Sequence, residues 1–236
     1  MDERLERFLA AHGGPGAAPT GPDALAAACR DALGADGAVV AVAAAGRWRL
    51  PVGVSDPVAG AAERWRFTVG EGPSSRAEAG AEPVVADEAR LRRSWPALHD
   101  QLRRHTAFRS ALALPLLAGA APAGTLDLYW RGPRAAGGVD LAAAQRVASL
   151  TASRLLAPAG TGAAGPAWLD APSAQPRQRT WVAISMVTQV LGLDDADALA
   201  VLRSHAYARD RTLEQVADDV VAGRASVGAL RRPAED

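Results

Sequence analysis

Residues 180–224 read TWVAISMVTQVLGLDDADALAVLRSHAYARDRTLEQVADDVVAGR. This stretch decides the organisation of the chain, because it spells three short helices with their own start and stop signals. The third is the plainest. Thr212 and Gln215 have the spacing of a capping box, in which the hydroxyl takes the amide three residues on and the Gln side chain reaches back. Leu213, Val216, Ala217, Val220 and Val221 then recur with the helical period and form one apolar stripe. Gly223 stands where a left-handed stop belongs. The second helix starts at Asp194, with Asp195 and Asp197 favourable near its N-terminus. Its stripe is Ala198, Leu199, Leu202 and Ala206. The first helix is apolar over most of its circumference, through Trp181, Val182, Ile184, Met186, Val187, Val190 and Leu191. That is more than one face of a small bundle can bury, so a second surface must cover it, either the preceding domain or another chain. So few residues in three helices make a marginal core, which calls for such a partner.

Working outward, residues 157–176 are rich in Pro, Gly and Ala and read as a linker. Residues 22–156 form a first domain, residues 1–21 an N-terminal arm, residues 177–226 the helical module and residues 227–236 a tail. In the first domain, Asp23 caps a helix that ends at Gly34. Gly37 to Ala44 and Arg47 to Val52 read as strands joined at Ala45-Gly46. Arg64 to Val69 alternates like a further strand, and Phe67 to Ser74 reads as a loop. Ser94 starts a helix carrying Trp95, Leu98 and Leu102. Ser110 to Leu117 and Gly124 to Trp130 pair as a hairpin turning through Ala118 to Ala123, and Asp140 opens a last helix to about Leu156. Strands with flanking helices on an antiparallel sheet give an α+β domain, followed by a small all-α module.

Composition narrows the function. The chain has 236 residues and zero formal net charge, so no global field draws it to nucleic acid or membrane. All 26 basic residues are arginine. The single cysteine, Cys29, excludes an intramolecular disulfide or a cysteine zinc cluster and is expected to be buried and inert. The charged start and the lack of a long apolar run point to a cytoplasmic protein with no signal peptide and no membrane partner. The four histidines, His12, His99, His105 and His205, are scattered. Neither a metal site nor any cofactor is expected, and no nucleophile, acid–base pair or phosphate loop suggests an enzyme.

The helical stretch resembles an ANTAR domain. The resemblance rests on Ala183, Met186-Val187, Leu191-Gly192-Leu193, Ala198-Leu199, Leu202-Arg203, Ala206-Tyr207, Arg209-Asp210-Arg211 and the run from Leu213 to Val221. It implies a three-helix module that binds an RNA hairpin and keeps a transcription terminator from forming; a homodimer is expected because pairing the first helix with its copy would supply the burial that the small core lacks. From Arg177 onward there are eight arginines against nine acids. Glu214 and Asp218, one turn apart, set acid on the outer face of the third helix. An RNA surface would therefore run along Arg179, Arg203, Tyr207, Arg209 and Arg211, with Tyr207 stacking on an unpaired base.

The first domain is similar to a GAF domain. The residues that carry this are Gly70-Glu71-Gly72-Pro73-Ser74, Pro83 to Asp87, Ser94-Trp95-Pro96, Ala113 to Leu116 and Gly124 to Tyr129. The resemblance implies a small-molecule ligand between sheet and covering loop. Phe67, Trp95, Leu114 and Tyr129 would line that pocket, with Glu71, Ser74 and Asp87 as polar anchors. Relatives often carry a cysteine where Ser74 stands, so thiol redox sensing is not expected here. A ligand-free dimerisation scaffold is the other reading of such a domain. The two resemblances together imply a regulator that senses or dimerises through the first domain and antiterminates through the second. The alternative is a signalling regulator that works by protein–protein contacts without RNA, using the Trp181 surface.

Overall fold

The computed structural model describes residues 3–12, 21–44, 48–156, 168 and 171–231. Helices α1 (Glu3–His12) and α2 (Pro22–Ala32) precede strands β1 (Gly37–Ala44) and β2 (Trp48–Val54). Helices α3 (Pro57–Val69) and α4 (Pro73–Gly80), strand β3 (Val84–Ala86), and helices α5 (Glu88–Ser94) and α6 (Pro96–His105) follow. Strands β4 (Ser110–Ala118) and β5 (Ala121–Trp130) and helix α7 (Leu141–Leu155) complete the α+β part. Helices α8 (Gln175–Leu191), α9 (Asp195–Ala208) and α10 (Leu213–Val221) come last, with a 3-10 turn over Val227–Arg231.

The five strands form one antiparallel sheet in the order β2-β1-β5-β4-β3. The pleat sends alternate residues to opposite faces. Val40, Val42, Leu112, Leu114, Leu126 and Leu128 meet Leu25, Cys29 and Val147 from the helices α2 and α7. Val39, Ala111, Ala113 and Tyr129 meet Trp95, Leu98 and Leu102 on the other face, under helices α3 to α6. A third cluster joins Ile184, Val187, Leu202, Leu213, Val216 and Val220 of the last three helices, and Phe67 of α3 belongs to it. Val227 and Leu230, which sequence placed in the tail, are buried in this cluster.

Local signals act as their chemistry requires. Asp56 caps α3 by accepting from the amides of Val58 and Ala59, both at 2.9 Å. Asp194 accepts from Asp197 at 2.8 Å, and Thr212 with Gln215 forms the capping box in both directions. The β4–β5 hairpin pairs Ser110 with Trp130 and Leu114 with Leu126.

The span Arg64 to Val69 departs from its alternating pattern: it is the last half of helix α3. The reason is burial on several sides. Ala59 and Ala62 face the sheet, Phe67 faces the helical module, and Glu63, Arg66 and Thr68 are also enclosed. A helix buried on most of its circumference shows no single apolar stripe. Gly70 then ends it at φ +80°, its amide bonded to the Arg66 carbonyl at 3.0 Å. Phe67 to Ser74, read as a loop, is thus a helix end, a three-residue break and the start of α4. The helix read as starting at Ser94 is two: Ser94 ends α5, and α6 starts at Pro96. The turn read at Ala45-Gly46 lies outside the described residues, as do residues 13–20 of the arm, most of the linker, and residues 232–236. Where the linker is described, Ala171 and Ala174 are buried against the α2 and α7 side of the sheet, and Trp168 Nε1 donates to the Leu155 carbonyl at 3.1 Å. No helix among the described residues is long and apolar enough to cross a membrane.

Candidate functional site

The face of α8 that packs toward the sheet begins with Arg177, which is 1% exposed and is among the largest fully enclosed side chains in the chain. Its Nη2 reaches Glu214 of α10 at 3.1 Å and Glu63 of α3 at 3.4 Å. Its Nη1 donates to the Arg49 carbonyl of β2 at 2.8 Å. The guanidinium carbon lies 3.2 Å from the centre of the Phe67 ring. One residue therefore ties the sheet, α3 and two helices of the last cluster together. Glu63 is also held by Arg66 in a two-pronged pair at 2.6 and 2.8 Å. Beside them, Arg49 Nη2 donates to Asp127 at 2.7 Å, and Thr125 donates to the same carboxylate oxygen at 3.1 Å.

Burial penalises every charge in this cluster, and pairing decides the outcome. At Glu63, burial would raise the pKa, but the Arg66 charge and hydrogen bonds outweigh it and hold the carboxyl at about 2. At Glu214, burial prevails over Arg177 and the carboxyl sits above its ordinary range. Burial also pulls Arg177 below the usual guanidinium range, against the attraction of Glu214 and Glu63. Three further bonds cross the same seam. Arg203 Nε donates to the Phe67 carbonyl at 3.0 Å, the Leu213 amide donates to Thr68 Oγ1 at 2.8 Å, and His105 of α6 meets Asp210 at 3.3 Å. The second burial surface demanded by the first helix is therefore supplied in part by the α+β domain.

The arginines of the expected RNA surface are dispersed in their commitments. Arg179 pairs with Asp218 at 2.9 Å. Arg211 pairs with Asp219 at 2.7 Å and donates to the Gln215 carbonyl at 3.2 Å. Arg224 binds Asp218 and also Asp219, holding the Asp219 carboxyl, with Arg211, below its usual range. Arg203 lies in the seam on Phe67. Arg209 contacts the His205 ring nitrogen at 3.2 Å, and Tyr207 is 44% exposed. Glu214, expected on the outer face beside Asp218, instead turns inward to Arg177.

The seven expected pocket residues do not converge. Leu114 points to the α2 and α7 face, whereas Tyr129 and Trp95 lie on the opposite one. The register shows why: Ala111 faces Tyr129 and Leu114 faces Leu126, so Leu114 and Tyr129 fall on opposite sides of the pleat. Phe67 is taken up by the last three helices. Asp87 caps α5 by accepting from the Arg90 amide at 2.7 Å. Glu71 is half-buried in the break between α3 and α4. Ser74 is buried beside Tyr129, Leu98 and Leu102, where the remaining space is about 10 Å³, room for about one water. Sequence reading passed over Arg49, Glu63, Arg66, Asp127 and Arg177. Only Asp127, between Leu126 and Leu128, carried a signal, as a charge set into an apolar run.

Compared with known proteins, the chain matches no family model and no curated protein. Among solved structures it is similar to a domain of a two-component sensor histidine kinase protein from Sinorhizobium meliloti. That likeness has a TM-score of 0.42 and 16% identity, over 56% of this chain and 85% of that one. It is also similar to the GAF domain of a phosphoenolpyruvate-protein phosphotransferase from Acinetobacter, with a TM-score of 0.44 and 13% identity, over 65% of this chain and 93% of that one.

Proposed function

We propose that the chain is a two-part regulator. A GAF-type α+β domain holds an ANTAR-type three-helix module, and the module binds RNA hairpins to control transcription termination. The observation that carries this reading is the buried Arg177, which links Glu63 and Arg49 of the first part to Glu214 of the second. Such a joint makes the module's availability depend on the state of the first domain. In the docked form, Tyr207 is exposed for a base, and the half-buried Arg209 would have to exchange its His205 contact for a phosphate. Arg179 and Arg211 sit at the surface on Asp218 and Asp219, pairs that a phosphate can replace. Arg203 is withheld in the seam.

A homodimer fits the outer face of α8. Val182 and Val190 are 50% and 64% exposed, with half-buried Met186 between them at one-turn spacing. A second copy of this helix would cover that stripe. Val182→Glu combined with Val190→Glu should then shift sedimentation from dimer to monomer with the monomer fold retained; a wild-type monomer would contradict it.

The reading is tested by crosslinking the full chain to total cellular RNA and titrating the recovered hairpins. Tyr207→Ala with Arg209→Glu should weaken binding about tenfold or more, the scale of losing one stacked base and one phosphate contact. Unchanged binding in that variant would refute this surface. The reading based on protein contacts alone gains if no RNA is recovered.

A further inference from the structure

Between the two parts lies a cleft of about 410 Å³, lined by Ala43, Arg49, Arg66, Phe67, Glu78 and Arg203 among others. Arg66 is already paired with Glu63, and Arg49 Nη2 with Asp127, but other guanidinium donors on this side are unspent. Arg49 is 9% exposed, and its Nε and Nη1 make no hydrogen bond although both atoms are enclosed. A buried guanidinium in that condition is costly and rare. Asp127 meets Nη2 at 2.7 Å, but the acid nearest Nη1 is the partly exposed Glu78, 3.7 Å away and beyond hydrogen-bond range. Arg203 spends only Nε, on the Phe67 carbonyl, so its two terminal nitrogens make no hydrogen bond among the described residues. Gly70 permits that position: a side chain there would strike Arg203 Nη1 at 2.8 Å. Arg66 supplies the third guanidinium. Glu63 and Asp127 pair with Arg66 and Arg49 behind the lining; within the lining the one acid is Glu78, and the exposed Ser75 borders the space.

We infer that this cleft is a binding site for a small phosphate-bearing molecule, held by the unspent donors of Arg49 and Arg203 across the seam, with the Arg66–Glu63 pair beside them. Planar guanidinium groups suit the oxygens of a phosphate, and the volume is that of a metabolite-sized ligand. Phe67, Ala43, Ala79 and Leu199 give its organic part an apolar wall. Burial, and then the charges of Arg66 and Arg177, bring Arg203 down to about 10, and an anion placed beside it would reverse that. Because Arg49 and Arg66 belong to the first part and Arg203 to α9, a bound phosphate stabilises the docked arrangement. The site does not depend on RNA binding.

The test uses the full chain, with inorganic phosphate as the probe and chloride at equal ionic strength as the reference. The melting temperature should rise saturably with phosphate and not with chloride. Glu78→Gln, which removes the one acid of the lining, should lower the half-saturating phosphate concentration several-fold. Ser75→Glu, an exposed change that adds a carboxylate at the cleft, should abolish the shift while leaving the protein folded by circular dichroism. Arg203→Gln should abolish it as well. A phosphate response absent from the wild type, or undiminished in Ser75→Glu and Arg203→Gln, overturns the site.

Discussion

Arg177 shows how a single side chain can carry the join between two domains. Its charge is satisfied by Glu214, Glu63 and the Arg49 carbonyl, so removing it leaves a carboxylate buried without its main partner. Arg177→Met should lower the stability of the full chain by about 3 kcal/mol or more, read as a lower urea midpoint; a change within measurement error would mean that the network is energetically neutral. The network also sets an acid response. Glu63 is held at about 2 from an ordinary 4.5 by Arg66, so its contribution is complete above pH 4.5 and is lost as pH falls toward 2. Glu214 is shifted the other way and contributes less as pH rises above 4.5, so acid weakening is governed by Glu63. The melting temperature should fall over that acid window, and Glu63→Gln should flatten the fall. Cys29 makes a separate residue-scale case. Burial pushes its thiol up to about 12, against a 3.2 Å contact with Thr151. It should react with a thiol reagent only on unfolding, and rapid labelling of the native chain would contradict the packing of α2 on α7.

Among the elements, α10 has the most complete local signal, and its cap is directly testable. Thr212→Ala should cost about 1 kcal/mol through loss of the capping box, visible as a lower melting temperature. Gly70→Ala should cost at least as much, because the backbone there is left-handed and the added methyl meets Arg203. These same elements show what the sequence could and could not reveal. Helices α9 and α10 were legible because a cap coincides with a one-sided apolar pattern, and the β4–β5 hairpin because two apolar runs, buried on both faces, flank a turn. Helix α3 was not, because the sheet and the last three helices enclose it and erase the stripe that marks a surface helix. The pocket residues failed for a related reason. Motif order along the chain says nothing about pleat parity, which puts Leu114 and Tyr129 on opposite faces. Glu214 was misplaced because its helix faces Arg177 on the side that an isolated amphipathic helix would give to solvent.

At the scale of the molecule, the two parts are one packed body at their seam, with Phe67 of the first buried in the core of the second. In the proposed reading, that arrangement would withhold Arg203 and leave the exposed Tyr207, with the half-buried Arg209, as a restrained output surface. Under the proposed RNA reading, the arginines are balanced locally by acids that a phosphate backbone would replace, so binding should weaken steeply with salt. The central claim is the RNA-binding output, and crosslinking of the full chain to total cellular RNA tests it most directly, with Tyr207→Ala plus Arg209→Glu in parallel. The account predicts a discrete set of hairpins recovered with the wild type, weakened by salt and lost with the double variant. Recovery of no RNA, or equal recovery with both proteins, would contradict it.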